Sequence, residues 1–120
     1  MLKRRSLIWV GSSLKDLTSF PDAVKKDIGF ALHLAQSGEK SNQAKPFKGI
    51  GSGIYEVVDD YHSDTYRAIY AVNLGDRVYV LHAFQKKSKK GIKTPQNEID
   101  MIERRYKIAL QLYQNDSKEI

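Results

Sequence analysis

An α+β domain, with helices laid on a largely antiparallel sheet, is the fold class that the sequence predicts. Three observations carry it. Residues 66–90, YRAIYAVNLGDRVYVLHAFQKKSKK, place two runs rich in Val, Ile, Tyr and Phe on either side of Gly75-Asp76, the sequence form of a two-residue hairpin. Apolar residues recur at spacings of three and four in two other stretches, 24–35 and 99–113. Nothing follows a strand-helix-strand pattern, and no glycine-rich phosphate loop precedes a helix.

Taken in order, residues 6–10 read as a first strand ending at Gly11. Ser12 or Ser13 can cap a short helix that carries Leu14, Leu17 and Phe20, with Asp16 in its first turn against the positive helix end. Pro21 stops that helix and suits the first position of the next. From there Val24, Ile28, Ala31, Leu32 and Ala35 form one apolar stripe, Gly38 terminates it, and His33 lies off it in solvent. The two helices form an antiparallel hairpin or one kinked helix, and their stripe covers one face of the sheet. Residues 39–53, polar and turn-rich, read as a loop. Residues 54–60 form a strand, a turn follows through 61–64, and the hairpin completes a three-stranded antiparallel meander. Thr94 caps a last helix with Pro95 at its first position. Its stripe is Ile99, Ile102, Tyr106, Ala109, Leu110 and Tyr113, and Glu103 can pair with Lys107 one turn on. The polar tail from Gln114 should fray.

With Gly75-Asp76 as the loop, Leu74 sits opposite Arg77, Ile69 opposite His82, and Arg67 opposite Phe84. Strict alternation then gives one face Arg67, Ile69, Ala71, Val78, Val80, His82 and Phe84. The other face receives Tyr66, Ala68, Tyr70, Val72, Tyr79, Leu81 and Ala83. A cation, an imidazole and an aromatic ring thus meet at one corner, which is expected to be open to solvent. There the second strand runs into a group of five lysines, Lys86, Lys87, Lys89, Lys90 and Lys93.

A chain of 120 residues, 41% hydrophobic, makes one domain over 1–120, with room for a single core. The absence of cysteine excludes a disulfide framework and thiolate metal sites and fits a reducing compartment. Three scattered histidines make no metal-ligand spacing, so no metal or cofactor is expected. The apolar run of residues 7–10 is far short of a signal-peptide core or a membrane span, and the reading is cytoplasmic, with no membrane partner. A net charge of +6 and a pI near 9.5 point to a polyanion, with nucleic acid ahead of an acidic membrane or protein.

No Ser-His-Asp, Cys-His or paired-carboxylate arrangement stands out. The concentrated groups are Arg67, His82, Lys86, Lys87, Lys89 and Lys90, with Lys45 and Lys48 arriving from the loop. Such groups can hold an RNA phosphate, stabilise a pentacoordinate transition state, and move protons between a 2′-hydroxyl and a leaving oxygen without a metal. Phe84, with Tyr55 or Tyr66, can stack an unpaired base. Each has a plainer alternative: Arg67 as an ion-pair partner of Glu56 on the next strand, His82 as a core histidine, Phe84 as packing.

The segments YRAIYAV, VYVLHAFQKKSKKG, AKPFKGIGSGIYEV and WVGSSLKDLTSFP together resemble the phage-related branch of the RelE/HigB toxins, over roughly residues 8–112. The resemblance implies a small antiparallel sheet with two N-terminal helices and a C-terminal helix. It implies a toxin of a type II toxin-antitoxin system, a metal-independent, ribosome-dependent mRNA endonuclease restrained by a cognate helix-turn-helix antitoxin. By the same resemblance Arg67 matches the arginine of the YR motif that contacts the scissile phosphate. Lys86 and Lys87 match the basic pair whose second member stabilises the transition state. His82 and Phe84 belong to the HAF motif of the branch, and His82 is read here as a general acid or base. Where RelE carries lysines on the strand at 54–60 this chain has Glu56 and Val58, and its late catalytic tyrosine aligns near Lys93. The competing readings are a non-catalytic RNA- or antitoxin-binding module and a phage structural protein.

Overall fold

The computed structural model describes residues 4–86 and 93–117. In chain order the elements are β1 (Ser6–Trp9), α1 (Ser13–Thr18), α2 (Asp22–Gln36), β2 (Ala44–Pro46), β3 (Ile54–Tyr61), β4 (Asp64–Leu74), β5 (Arg77–Lys86) and α3 (Gln96–Ser117). They build one sheet in the order β1-β5-β4-β3-β2. Neighbours from β2 to β5 run antiparallel, and β1 lies parallel to β5 at the far edge. The α+β class, with two N-terminal helices and one C-terminal helix, is therefore what the chain adopts.

Two helical layers sandwich the sheet. The stripe of α2 is buried as its spacing requires, Val24, Ile28, Ala31, Leu32 and Ala35 all packing on Val57, Ala68, Tyr70, Val78 and Val80. Pro21 is the residue flanking this helix, one place earlier than the first helical position. At its other end Gly38 adopts φ 82°, which lets the Gly38 and Glu39 amides bond back to Ala35 and Leu34. His33 is exposed, as expected. In α1 the serines work differently from caps. Ser13 is fully buried and its hydroxyl donates to the Val80 carbonyl of β5 at 3.0 Å, while Ser12 Oγ reaches the Asp16 carboxylate at 2.9 Å. Leu17 and Phe20 are buried, whereas Leu14 stays outside.

The opposite face is covered by α3. Ile102 and Ala109 are fully buried against Val10, Ile54, Ile69, Ala71, Tyr79 and Leu81. The helix begins just after Pro95, whose carbonyl accepts the Glu98 and Ile99 amides. Residues 114–117, expected to fray, continue the helix, and Asp116 forms an ion pair with Arg77 at the start of β5. No described helix is long and apolar enough to cross a membrane.

Two further departures from the sequence reading bear on the site. The loop 39–53 contains β2, in which Pro46 is tolerated because an edge strand can leave one side of its backbone unpaired. In the hairpin, Leu74 does face Arg77, Ile69 faces His82, and Arg67 faces Phe84, but two irregularities lie between these points. Tyr70 pairs with Val80 instead of Leu81, so Leu81 is an extra residue in β5. A second slip between Ala71 and Leu74 restores the count. The bulge exchanges the faces of four residues: Val78 and Val80 pack under α2, and Tyr79 and Leu81 under α3. His82 and Leu81 thus share a face despite being adjacent.

Two outcomes are expected. Ile102→Ala should cost about 2–5 kcal/mol, because the cavity lies where a rigid sheet meets a helix, and urea denaturation reads this directly. Asp59, buried on β3, accepts from Gln43 Nε2 at 2.9 Å. Burial raises its carboxyl above the ordinary 3.8, and Asp27 of α2, in hydrogen-bond contact, raises it further. The folded chain then binds this proton more tightly than the unfolded one, so its contribution to stability is present at low pH and is lost as pH rises. Asp59→Asn should therefore flatten the decline in thermal stability above about pH 4 and raise the melting temperature at neutral pH.

Candidate functional site

The alternation of β3 and β4, together with the bulge in β5, brings Glu56, Arg67, His82, Phe84 and Lys86 to the sheet face beneath α3. Arg67 stands between Val58 on one neighbouring strand and Phe84 on the other. Its guanidinium donates to Glu56 Oε2 at 2.6 Å, with Glu56 4% and Arg67 6% exposed. The ion-pair alternative for Arg67 is thus realised. The Arg67 Nε remains buried with no hydrogen-bond partner among the described residues. Lys45 on β2 approaches the other oxygen of the same carboxylate, Oε1, at 3.9 Å, and its side chain is largely in solvent.

Lys86, at the end of β5, is 9% exposed and donates through Nζ to the Lys93 carbonyl at 2.7 Å. Burial holds its ammonium below the usual lysine range. The positive charge of Arg67 pushes it lower still, and Glu56 opposes both. His82 is 6% exposed and is bonded on both nitrogens by α3: Nε2 lies 2.9 Å from Glu98 Oε1, and Nδ1 lies 3.2 Å from an Arg105 guanidinium nitrogen. Its ring stacks on Phe84 with centroids 5.0 Å apart.

The arrangement corrects the expectation of an open corner. Arg67, His82, Phe84 and Lys86 are each less than a tenth exposed: α3 lays Glu98 and Arg105 on His82 and packs Ile102 in the cluster of Phe84, while Arg67 is held by Glu56 and Lys86 by the Lys93 carbonyl. Phe84 packs within the core, and Tyr66 packs on Phe20 under the other face, so neither ring is presented for a base. Lys45 and Lys48 are exposed. Lys87, Lys89 and Lys90 lie outside the described residues.

The residue that sequence reasoning passed over is Arg105. It is 7% exposed and donates to the Leu81 carbonyl at 3.0 Å and to Ser12 Oγ at 2.8 Å, as well as to His82. Its signal was present: Arg105 falls three residues after Ile102 and four before Ala109, within the apolar stripe, where a charge has to find partners. Gly11 matches it from the other side, having φ 58° and room for no Cβ, which would stand 2.8 Å from Arg105 Nε.

Arg67, Lys86 and Arg105 face Glu56 and Glu98, so the cluster carries more cations than anions. This can hold a phosphate oxygen, and a lysine whose hold on its proton is weakened can exchange that proton. The sequence model of the family described as phage-derived protein Gp49-like (DUF891) matches residues 15–107, from α1 through most of α3. The chain belongs to this Gp49-like family. The matched span includes every one of the clustered side chains just described. No curated protein and no solved structure matches the chain.

The charge pair makes a graded test. Glu56→Ala should destabilise by about 3–5 kcal/mol, since it strands a buried guanidinium. Lys45→Ala, which removes the solvent-side partner of the same carboxylate, should change stability by no more than about 0.5 kcal/mol. Chemical denaturation of the two variants side by side checks the ordering.

Proposed function

We propose that this Gp49-like chain is the toxin of a type II toxin-antitoxin system and cuts mRNA on the ribosome without a metal. The observation that carries the reading is the juxtaposition of Arg67 and Lys86 on adjacent strands. There burial, reinforced by the arginine's charge, loosens the lysine proton. Family membership and the YR and HAFQKK motifs support it. In this reading Arg67, Lys86 and Lys87 bind the scissile phosphate, and Lys45, Lys48, Lys89 and Lys90 hold the flanking RNA backbone. The 2′-hydroxyl attacks phosphorus and passes its proton to the Lys86 amine. The bond to the 5′-oxygen breaks, and that oxygen takes a proton from water, leaving a cyclic phosphate and a 5′-hydroxyl. The partners are the ribosome, mRNA and a cognate helix-turn-helix antitoxin.

Expression of the chain without its antitoxin should arrest growth and fragment translated messages. Lys86→Met should reduce cleavage about 10²–10⁴-fold while leaving the circular dichroism melt in place. Intact transcripts and normal translation in cells that accumulate folded protein would overturn the reading. One observation favours a second reading, a non-catalytic module that holds RNA or antitoxin: the clustered side chains are buried, with His82 bonded to α3 and Arg67 to Glu56. That module would bind RNA with an affinity that falls steeply with salt and would give no cleavage products on ribosomes.

A further inference from the structure

We infer that Arg105 is a positioning residue that fixes the tautomer of His82 and so makes the histidine a hydrogen-bond donor to the substrate instead of a proton acceptor. The inference rests on the ribonuclease reading for its functional half; its structural half stands on the hydrogen bonds alone. A guanidinium has only donors. The Arg105 nitrogen 3.2 Å from His82 Nδ1 therefore requires a lone pair there, which leaves the ring proton on Nε2. Nε2 in turn faces a carboxylate oxygen, Glu98 Oε1 at 2.9 Å, which can only accept from it when ionised.

The two sides of the ring differ in access. Arg105 is enclosed, its other bonds running to the Leu81 carbonyl and to Ser12 Oγ. The Glu98 side chain is 23% exposed against 8% for that of His82, so Nε2 faces the less buried of the ring's two partners. An apolar side chain would fill the stripe between Ile102 and Ala109 at no desolvation cost, yet a guanidinium stands there with three acceptors arranged around it. Arg105 also supplies a donor to the carbonyl of Leu81, the extra residue of the bulge next to His82. One side chain thus sets both where the imidazole points and which nitrogen carries hydrogen. With Nδ1 occupied and Nε2 already protonated, His82 has no site to receive the 2′-hydroxyl proton. It can donate Nε2–H to a phosphoryl oxygen as negative charge grows there, taking the place of its bond to the Glu98 carboxylate.

Long-range proton-nitrogen spectra of the ¹⁵N-labelled full chain read the tautomer. His82 should show a protonated Nε2 and a bare Nδ1 in the parent and equally in Glu98→Ala, and should lose that pattern in Arg105→Met. A protonated Nδ1 in the parent, or a tautomer that changes with Glu98→Ala, would overturn the assignment even if Arg105→Met did not fold. In the cleavage assay His82→Gln, which keeps an N–H donor, should stay within about tenfold of the parent, whereas His82→Ala should lose about 10²–10³-fold. Equal loss in both variants would remove the donor role. An inactive parent with the expected spectrum would instead discard the ribonuclease reading and leave Arg105 as the residue that sets the tautomer.

Discussion

The guanidinium of Arg105 is the point on which the rest of the structure turns. It touches the bulged carbonyl of Leu81, the imidazole of His82 and the hydroxyl of Ser12 at the start of α1. Three pieces of chain distant in sequence are thereby fixed to one another through a single planar donor, and α3 is locked in one register on the sheet. The bulge gains a partner for its carbonyl, and β5 can change faces in mid-strand without leaving that oxygen buried and unpaired. Gly11 shows how close the fit is, because any side chain there would strike the guanidinium.

Charge under the two helical layers is handled in opposite ways. On the α3 side, Arg67, Lys86 and Arg105 are held out of water against Glu56 and Glu98, with the Arg67 Nε unpaired among the described residues. Well-packed apolar residues of similar volume would be as stable or more so, which makes such a cluster weak support for stability and a good reason to look for a ligand. On the α2 side the charges are like in sign. Asp59 is buried and also meets Asp27, and the result is a carboxyl that keeps its proton to higher pH. The first arrangement is disposed to receive an anion; the second needs none.

The elements that could be read in advance are those whose periodicity and punctuation agree. In α2 the five stripe residues and Gly38 specify the helix, its buried face and its end without reference to any neighbour. The turn at Gly75-Asp76 fixed the pairing of Leu74, Ile69 and Arg67 with their partners. The exchange of Val78 and Val80 for Tyr79 and Leu81 was hidden because two slips of opposite sense cancel, so both ends of the hairpin agree with an unbroken ladder. Strand β2 escaped because three residues at an edge leave no pattern to detect. The α3 stripe was visible, but its buried arginine breaks the apolar rule, and only the acceptors around it explain why it is tolerated.

By itself the sequence determined the fold class, the position of the turn, the two amphipathic helices, and the gathering of Arg67, His82 and Lys86 toward one end of the sheet. These follow from local spacing and from residue types with narrow backbone preferences. Whether that end is open or covered and which nitrogen of His82 carries hydrogen were decided only when α3 settled on the sheet, and the pairing of β3 with β4 chose the Glu56 ion pair among the readings of Arg67. The physical reason is that burial and hydrogen-bond partnership depend on side chains brought together from remote positions, and no local pattern records them.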